Sequence, residues 1–128
     1  MPPLVRILYA EDEPDIQQVV SLALEVVGDF NLKICNSGLE AVNEVETFKP
    51  QLLLLDVMMP ELDGPGALKS IRTIEAYREI PAIFLTAKVQ AGEIQDYFEM
   101  GVLDVIAKPF DPMILAEQIE EMWAKVSS

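Results

Sequence analysis

No histidine occurs in the 128 residues. A Ser-His-Asp or Cys-His catalytic site, a histidine-ligated zinc and an internal phosphohistidine donor are therefore excluded. Cys35 is the one cysteine, so no internal disulfide can form, which suits a reducing compartment. Cationic side chains are scarce: 9 Lys+Arg stand against 22 Asp+Glu, a formal net charge of -13. Such a surface repels phosphate backbones and anionic headgroups, so neither nucleic acid nor a membrane is expected as a partner. The apolar runs are too short to span a bilayer. Met1-Pro2-Pro3 lacks the basic and apolar regions of a signal peptide. No Gly-rich phosphate loop is present either. These absences lead to the expectation of a cytoplasmic protein.

Hydrophobic residues make up 51% of the chain, enough for one core without disulfides or a structural metal. A single domain over residues 1–128 is expected, with its core over about 4–126. Apolar runs alternate with amphipathic stretches. Strands are predicted at 5–10, 32–35, 52–56, 82–86 and 105–107. Helices are predicted at 14–27, from Ser37 to about Phe48, 64–74, 90–100, and from a cap at Asp111-Pro112 to the chain's end. On the first helix Ile16, Val19, Val20, Ala23 and Val27 share a face, leaving Leu22 and Leu24 outward. On the fourth, Ile94, Tyr97 and Phe98 turn inward, and Gly101 suits the C-terminal cap. Ser37-Gly38-Leu39-Glu40 reads as a capping box. Strand–helix alternation implies an α/β fold, with parallel strands, right-handed crossovers and helices on both faces.

In such a sheet, ligands bind beyond the carboxyl ends of the strands. The polar residues there are Glu11 and Asp12 after the first strand, Asp56 ending the third, Thr86 ending the fourth and Lys108 after the fifth. Three carboxylates without His or Cys suit Mg²⁺. An Asp beside a cation and a lysine can attack phosphorus and form an aspartyl phosphate, and Thr86 and Lys108 are of the right type to bind the phosphoryl oxygens.

The segments Ala10-Glu11-Asp12-Glu13-Pro14, Leu55-Asp56-Val57-Met58-Met59-Pro60, Asp63-Gly64, Leu85-Thr86-Ala87 and Lys108-Pro109-Phe110 follow one another on these strand ends. In order and spacing they resemble the receiver domain of two-component response regulators, over nearly the whole chain. The resemblance implies a flavodoxin-like, doubly wound five-stranded parallel sheet of order 2-1-3-4-5 with five helices in three layers. It implies Asp56 as phosphoacceptor. Mg²⁺ would be held by the side chains of Asp12 and Asp56, the Met58 backbone carbonyl and, through water, Glu11. Thr86, the Ala87 N–H and Lys108 would bind the phosphoryl group, and the Lys108–Pro109 bond would be cis. The donor would be a sensor histidine kinase or a histidine-phosphotransfer protein, and the output a downstream protein.

Departures from the family pattern carry further expectations. Val105 stands where many members carry the Tyr or Phe that moves with the switch, so the signal is expected to rely more on Thr86 and the loop after it, or on partner binding at the active-site rim. Pro65-Gly66 is expected to shorten or kink the start of the third helix. Met58 and Lys88 sit at positions that tune dephosphorylation in the family. Met58 has no group to hold an attacking water, so a long-lived phosphoaspartate is expected. Residues 90–128 carry eight acids against Lys108 and Lys125, which disfavours self-pairing and leads to the expectation of a monomer whose partner face is acidic. The initiating Met1 favours a native start, while both a stand-alone regulator and a piece of a longer protein stay open at the other end. An alternative function is a phosphorylation-independent interaction module of the same fold. An aspartate-based phosphohydrolase is disfavoured, because Met58 stands where those enzymes place a second Asp.

Overall fold

The computed structural model describes residues 2–87 and 90–127. Leu52–Asp56 (β3) runs through the middle of its sheet, with Leu52 and Leu54 on one face and Leu53 and Leu55 on the other. All four leucines are fully buried, each contributing about 2 kcal/mol. A strand apolar on both faces can be satisfied only where helices cover both, which is the condition of a central parallel strand. Around it lie Arg6–Ala10 (β1), Asn31–Cys35 (β2), Ala82–Thr86 (β4) and Asp104–Ala107 (β5). Every pairing is parallel, and the order is β2-β1-β3-β4-β5, the flavodoxin-like arrangement.

Among the described residues the α-helices are Pro14–Ser21 (α1), Gly38–Phe48 (α2), Gly64–Arg72 (α3), Ala91–Glu99 (α4) and Leu115–Ala124 (α5). Val20 and Ala23 from the α1 side pack with Leu115 and Ile119 of α5 against one sheet face. Ala41 and Val45 of α2 and Ala67, Leu68 and Ile71 of α3 cover the other. Helix α4 buries no residue fully. Its Tyr97 ring meets Phe84 edge-on, with centroids 5.2 Å apart. Arg72 holds the end of α4 by donating to Met100 O at 2.5 Å and Gly101 O at 3.3 Å, and it also reaches Ile80 O at 2.9 Å. Gly101 itself has φ +79°, as a helix-terminating glycine requires.

Five local expectations are corrected. The first helix does not stay α-helical to residue 27, because Leu22–Val27 forms a π-helical turn in which the Gly28 N–H reaches back to Ala23 O at 3.1 Å. The wider turn rotates its faces, so Leu24 is buried and Val27 exposed; Val19, in the regular α-helical part before it, is exposed as well. In α4, Phe98 is exposed rather than inward. Pro65 does not shorten the start of α3: it occupies the first turn, where no N–H partner is lost, and Asp63 caps the helix by accepting from Gly66 N at 2.8 Å. Asp111 does not cap α5. Its carboxylate accepts from Met113 N at 2.9 Å in a turn that precedes the helix. Ser37 does cap α2, accepting from Glu40 N at 3.0 Å, but the Glu40 carboxylate bonds Asn36 rather than closing the box.

Candidate functional site

The strand order reverses between β1 and β3, which opens a crevice at their carboxyl ends. Register brings the functional side chains there. Ala10 pairs with Leu55, so Glu11 leaves β1 beside Asp56, the last residue of β3. Thr86 pairs with Ala107, and Lys108 follows, its N–H donating to Thr86 O at 2.9 Å. The helix after β3 starts close by. A side chain on Gly64 would press on the Asp56 carbonyl, so the third segment of the pattern, Asp63-Gly64, is needed for this approach.

Glu11, Asp56 and Thr86 are buried polar side chains, and all three lie at this rim. The Lys108 ammonium bridges the two carboxylates, at 2.9 Å from Asp56 Oδ2 and 3.1 Å from Glu11 Oε1. Glu11, Asp12 and Asp56 each present a carboxylate oxygen within 4.8 Å of the others. Asp12 Oδ1 is buried and has no hydrogen-bond partner. A buried carboxylate oxygen without a donor is costly, and a hard cation would satisfy it.

Desolvation, followed by the hydrogen bond and charge of Asp56, pushes the Glu11 carboxyl up to about 7 despite the opposing Lys108. Burial pulls the Lys108 ammonium down, but its bonds and proximity to Asp56 and Glu11 outweigh this and hold it above its ordinary value. Burial and the neighbouring Glu11 keep Tyr9 far above the usual phenol range, so its hydroxyl is a permanent donor. The crevice can therefore bind a divalent cation, hold a nucleophilic carboxylate beside an ammonium, and present donors to an incoming anion.

The remaining predicted residues fall at the same rim or beside it. The Met58 N–H donates to Asp56 Oδ1 at 3.3 Å, and its side chain is exposed. Ala87 follows Thr86 at the mouth, and the Lys108–Pro109 peptide is cis. Val105 is half-buried against the core that α2 and α3 cover. Lys88 lies outside the described residues. Two residues at the site escape sequence reasoning. The Tyr9 hydroxyl donates to Glu11 Oε1 at 3.3 Å, and Gln17 Nε2 donates to the Glu11 backbone carbonyl at 2.6 Å. Tyr9 reads as an ordinary strand aromatic. Gln17 reads as a polar residue of an amphipathic helix.

A doubly wound α/β domain with a lysine-bridged acidic crevice at its switch point belongs to the class of proteins that handle phosphoryl groups with carboxylates. The family model of the response regulator receiver domain matches residues 7–120. The chain belongs to that family, whose members are the phosphoacceptor signalling domains of two-component systems and work with histidine kinases or phosphotransfer proteins.

Similar proteins agree. The chain is 35% identical to the DNA-binding dual master transcriptional regulator RpaA of Synechocystis sp., over 94% of this chain and 47% of that protein. It is 30% identical to the response regulator Rre1 of the same organism, over 94% of this chain and 52% of that protein. The chain thus spans about half the length of the curated relatives it matches. Among solved structures, the receiver domain of Francisella response regulator 1452 is 26% identical with TM-score 0.81, covering 94% of this chain and 97% of that one. Chemotaxis protein CheY4 of Vibrio cholerae shares the fold at TM-score 0.85 and 24% identity, covering 93% of this chain and 98% of that one.

Proposed function

We propose that Asp56 accepts a phosphoryl group from a partner's phosphohistidine and that the change is read at a protein-binding face. The observation that carries this reading is the Lys108 ammonium shared between the buried Asp56 and Glu11 beside an unpartnered Asp12 oxygen. An Asp56 carboxylate oxygen forms the new bond to phosphorus as the phosphorus–nitrogen bond of the donor breaks, and the imidazole leaves with the electron pair. Lys108 then follows the charge from the carboxylate to the phosphoryl oxygens, with the Thr86 hydroxyl and the Ala87 N–H as further donors. Asp12, Asp56 and the Met58 carbonyl would hold Mg²⁺ directly and Glu11 through water. Bound there, the ion supplies positive charge against the phosphoryl oxygens.

In this reading the domain, working as one unit over about 4–126, catalyses only its own phosphorylation and a slow loss of phosphate. Met58 offers no group to orient water, so the phosphoaspartate outlasts seconds. With Val105 too small to act as a moving ring, the signal leaves through Thr86 and the following loop. The acidic surface of residues 90–128 favours a monomer in the cytoplasm that docks a protein partner rather than nucleic acid or membrane.

The test is acetyl phosphate with Mg²⁺, followed by intact mass. Wild-type protein should gain one phosphoryl group and Asp56→Asn none. An unmodified wild type would favour the phosphorylation-independent interaction module instead.

A further inference from the structure

The peptide unit between Glu11 and Asp12 joins two of the three clustered carboxylates, and its carbonyl has a dedicated donor. Gln17 Nε2 lies 2.6 Å from Glu11 O and 2.9 Å from Asn36 Oδ1. Both partners are acceptors, so the two amide hydrogens of Gln17 are both used, and the orientation of the amide is set by its surroundings. Asn36 in turn donates from Nδ2 to Glu40 Oε2 at 3.3 Å, and Glu40 N donates to the Ser37 cap at 3.0 Å. The Glu11 N–H is tied as well, to Cys35 O at 3.0 Å. The segment carrying the acids is thereby held from α1 and from the turn before α2 at once.

We propose that Gln17 is a positioning residue for the metal site: by fixing the carbonyl of the Glu11–Asp12 peptide it fixes the direction in which both carboxylates leave the backbone. The peptide is planar, so one anchored oxygen sets the orientation of the whole unit and of the two α-carbons it joins. Asp12 Oδ1 gains nothing from the protein itself, being buried without a partner, so its placement depends on the backbone beneath it. Residues that orient metal ligands from behind typically alter affinity by ten- to a hundredfold when removed. The inference rests on the site reading above and assigns the task to a residue that touches neither ion nor phosphate.

Charge and geometry predict opposite outcomes for one substitution. Gln17→Glu places a third acceptor between Glu11 O and Asn36 Oδ1 and should break the link. As an added negative charge near the site, it should instead tighten a cation. Mg²⁺ titrations by calorimetry on wild type, Gln17→Leu, Gln17→Glu and the neighbouring exposed Gln18→Glu decide between them. Gln17→Leu and Gln17→Glu should each bind Mg²⁺ on the order of tenfold more weakly, while Gln18→Glu binds like wild type or slightly tighter. With acetyl phosphate, both Gln17 variants should need more Mg²⁺ for half-maximal labelling yet reach the wild-type plateau when the ion saturates. Gln17 variants that bind Mg²⁺ like wild type, a Gln17→Glu that tightens like Gln18→Glu, or a plateau that never recovers would overturn the positioning role. A wild type that binds no Mg²⁺ would overturn the site reading and this inference with it.

Discussion

The Lys108 ammonium lies 2.9 Å from Asp56 Oδ2 although 52 residues separate the two along the chain. It is shared with Glu11, so one cation offsets two buried carboxylates.

Removing that cation leaves both acids uncompensated. Lys108→Ala should destabilise the metal-free protein by about 3 kcal/mol at neutral pH, the usual cost of breaking a buried pair. The loss should shrink on acidification, as Glu11, whose carboxyl is already pushed up to about 7, takes up its proton. Urea melts at neutral and mildly acidic pH check this. An equal loss at both would contradict it.

Glu11 gives stability an inverted pH dependence. Its carboxyl is raised from 4.5 in the free side chain to about 7 in the folded protein. Between those values the folded state binds the proton more tightly than the unfolded chain does. The contribution of Glu11 is therefore present below the lower value and is lost as pH rises through about 7, the reverse of an ordinary salt-bridged acid. A cation needs the ionised group, so Mg²⁺ affinity should rise across the same window. Thermal melts with and without Mg²⁺ on either side of neutrality should show the metal's stabilising effect growing with pH.

Gly64→Ala should disturb the site from its floor. The added methyl would meet the Asp56 carbonyl oxygen at 2.5 Å, closer than side-chain carbons approach oxygen, and the obstacle is backbone. We expect a loss of about 2 kcal/mol from overpacking, together with weaker Mg²⁺ binding because the end of β3 must shift. Gly92→Ala, where nothing lies within 4 Å of the new methyl, is the control and should be neutral or slightly stabilising.

Arg72 should matter most for α4. Its guanidinium donates to three carbonyls, two of them at the end of that helix, and α4 has no fully buried residue to hold it otherwise. Arg72→Met should cost about 2 kcal/mol and speed amide exchange in Ala91–Glu99 more than in α2. Uniform acceleration through the molecule would show that the clamp is not local.

Much of this architecture is legible from residue order. Leu52–Asp56 declares a central strand because no exposed face could accept four consecutive leucines. The acids, hydroxyl and lysine at the strand ends are visible because each directly follows an apolar run. What residue order hides is equally particular. The π turn at Leu22–Val27 keeps an amphipathic sequence but shifts its faces, and periodicity alone does not register the extra residue per turn. Asp111-Pro112 has the composition of a cap, yet its carboxylate closes a turn short of the helix. Gln17 carried no signal, since its partners are a carbonyl six residues back and Asn36, 19 residues on.

The sequence by itself determined the fold class, the polarity of each strand's surroundings and the list of groups available to the site, because burial pattern and side-chain chemistry are local properties of the chain. Only the tertiary structure decided that one lysine serves two acids, that Asp12 keeps an oxygen without a donor, that burial and Asp56 raise the Glu11 carboxyl, and that Gln17 anchors the loop carrying both. These depend on distances of a few ångströms between groups far apart in the chain. Coulombic coupling, desolvation and hydrogen bonding all change steeply over that range.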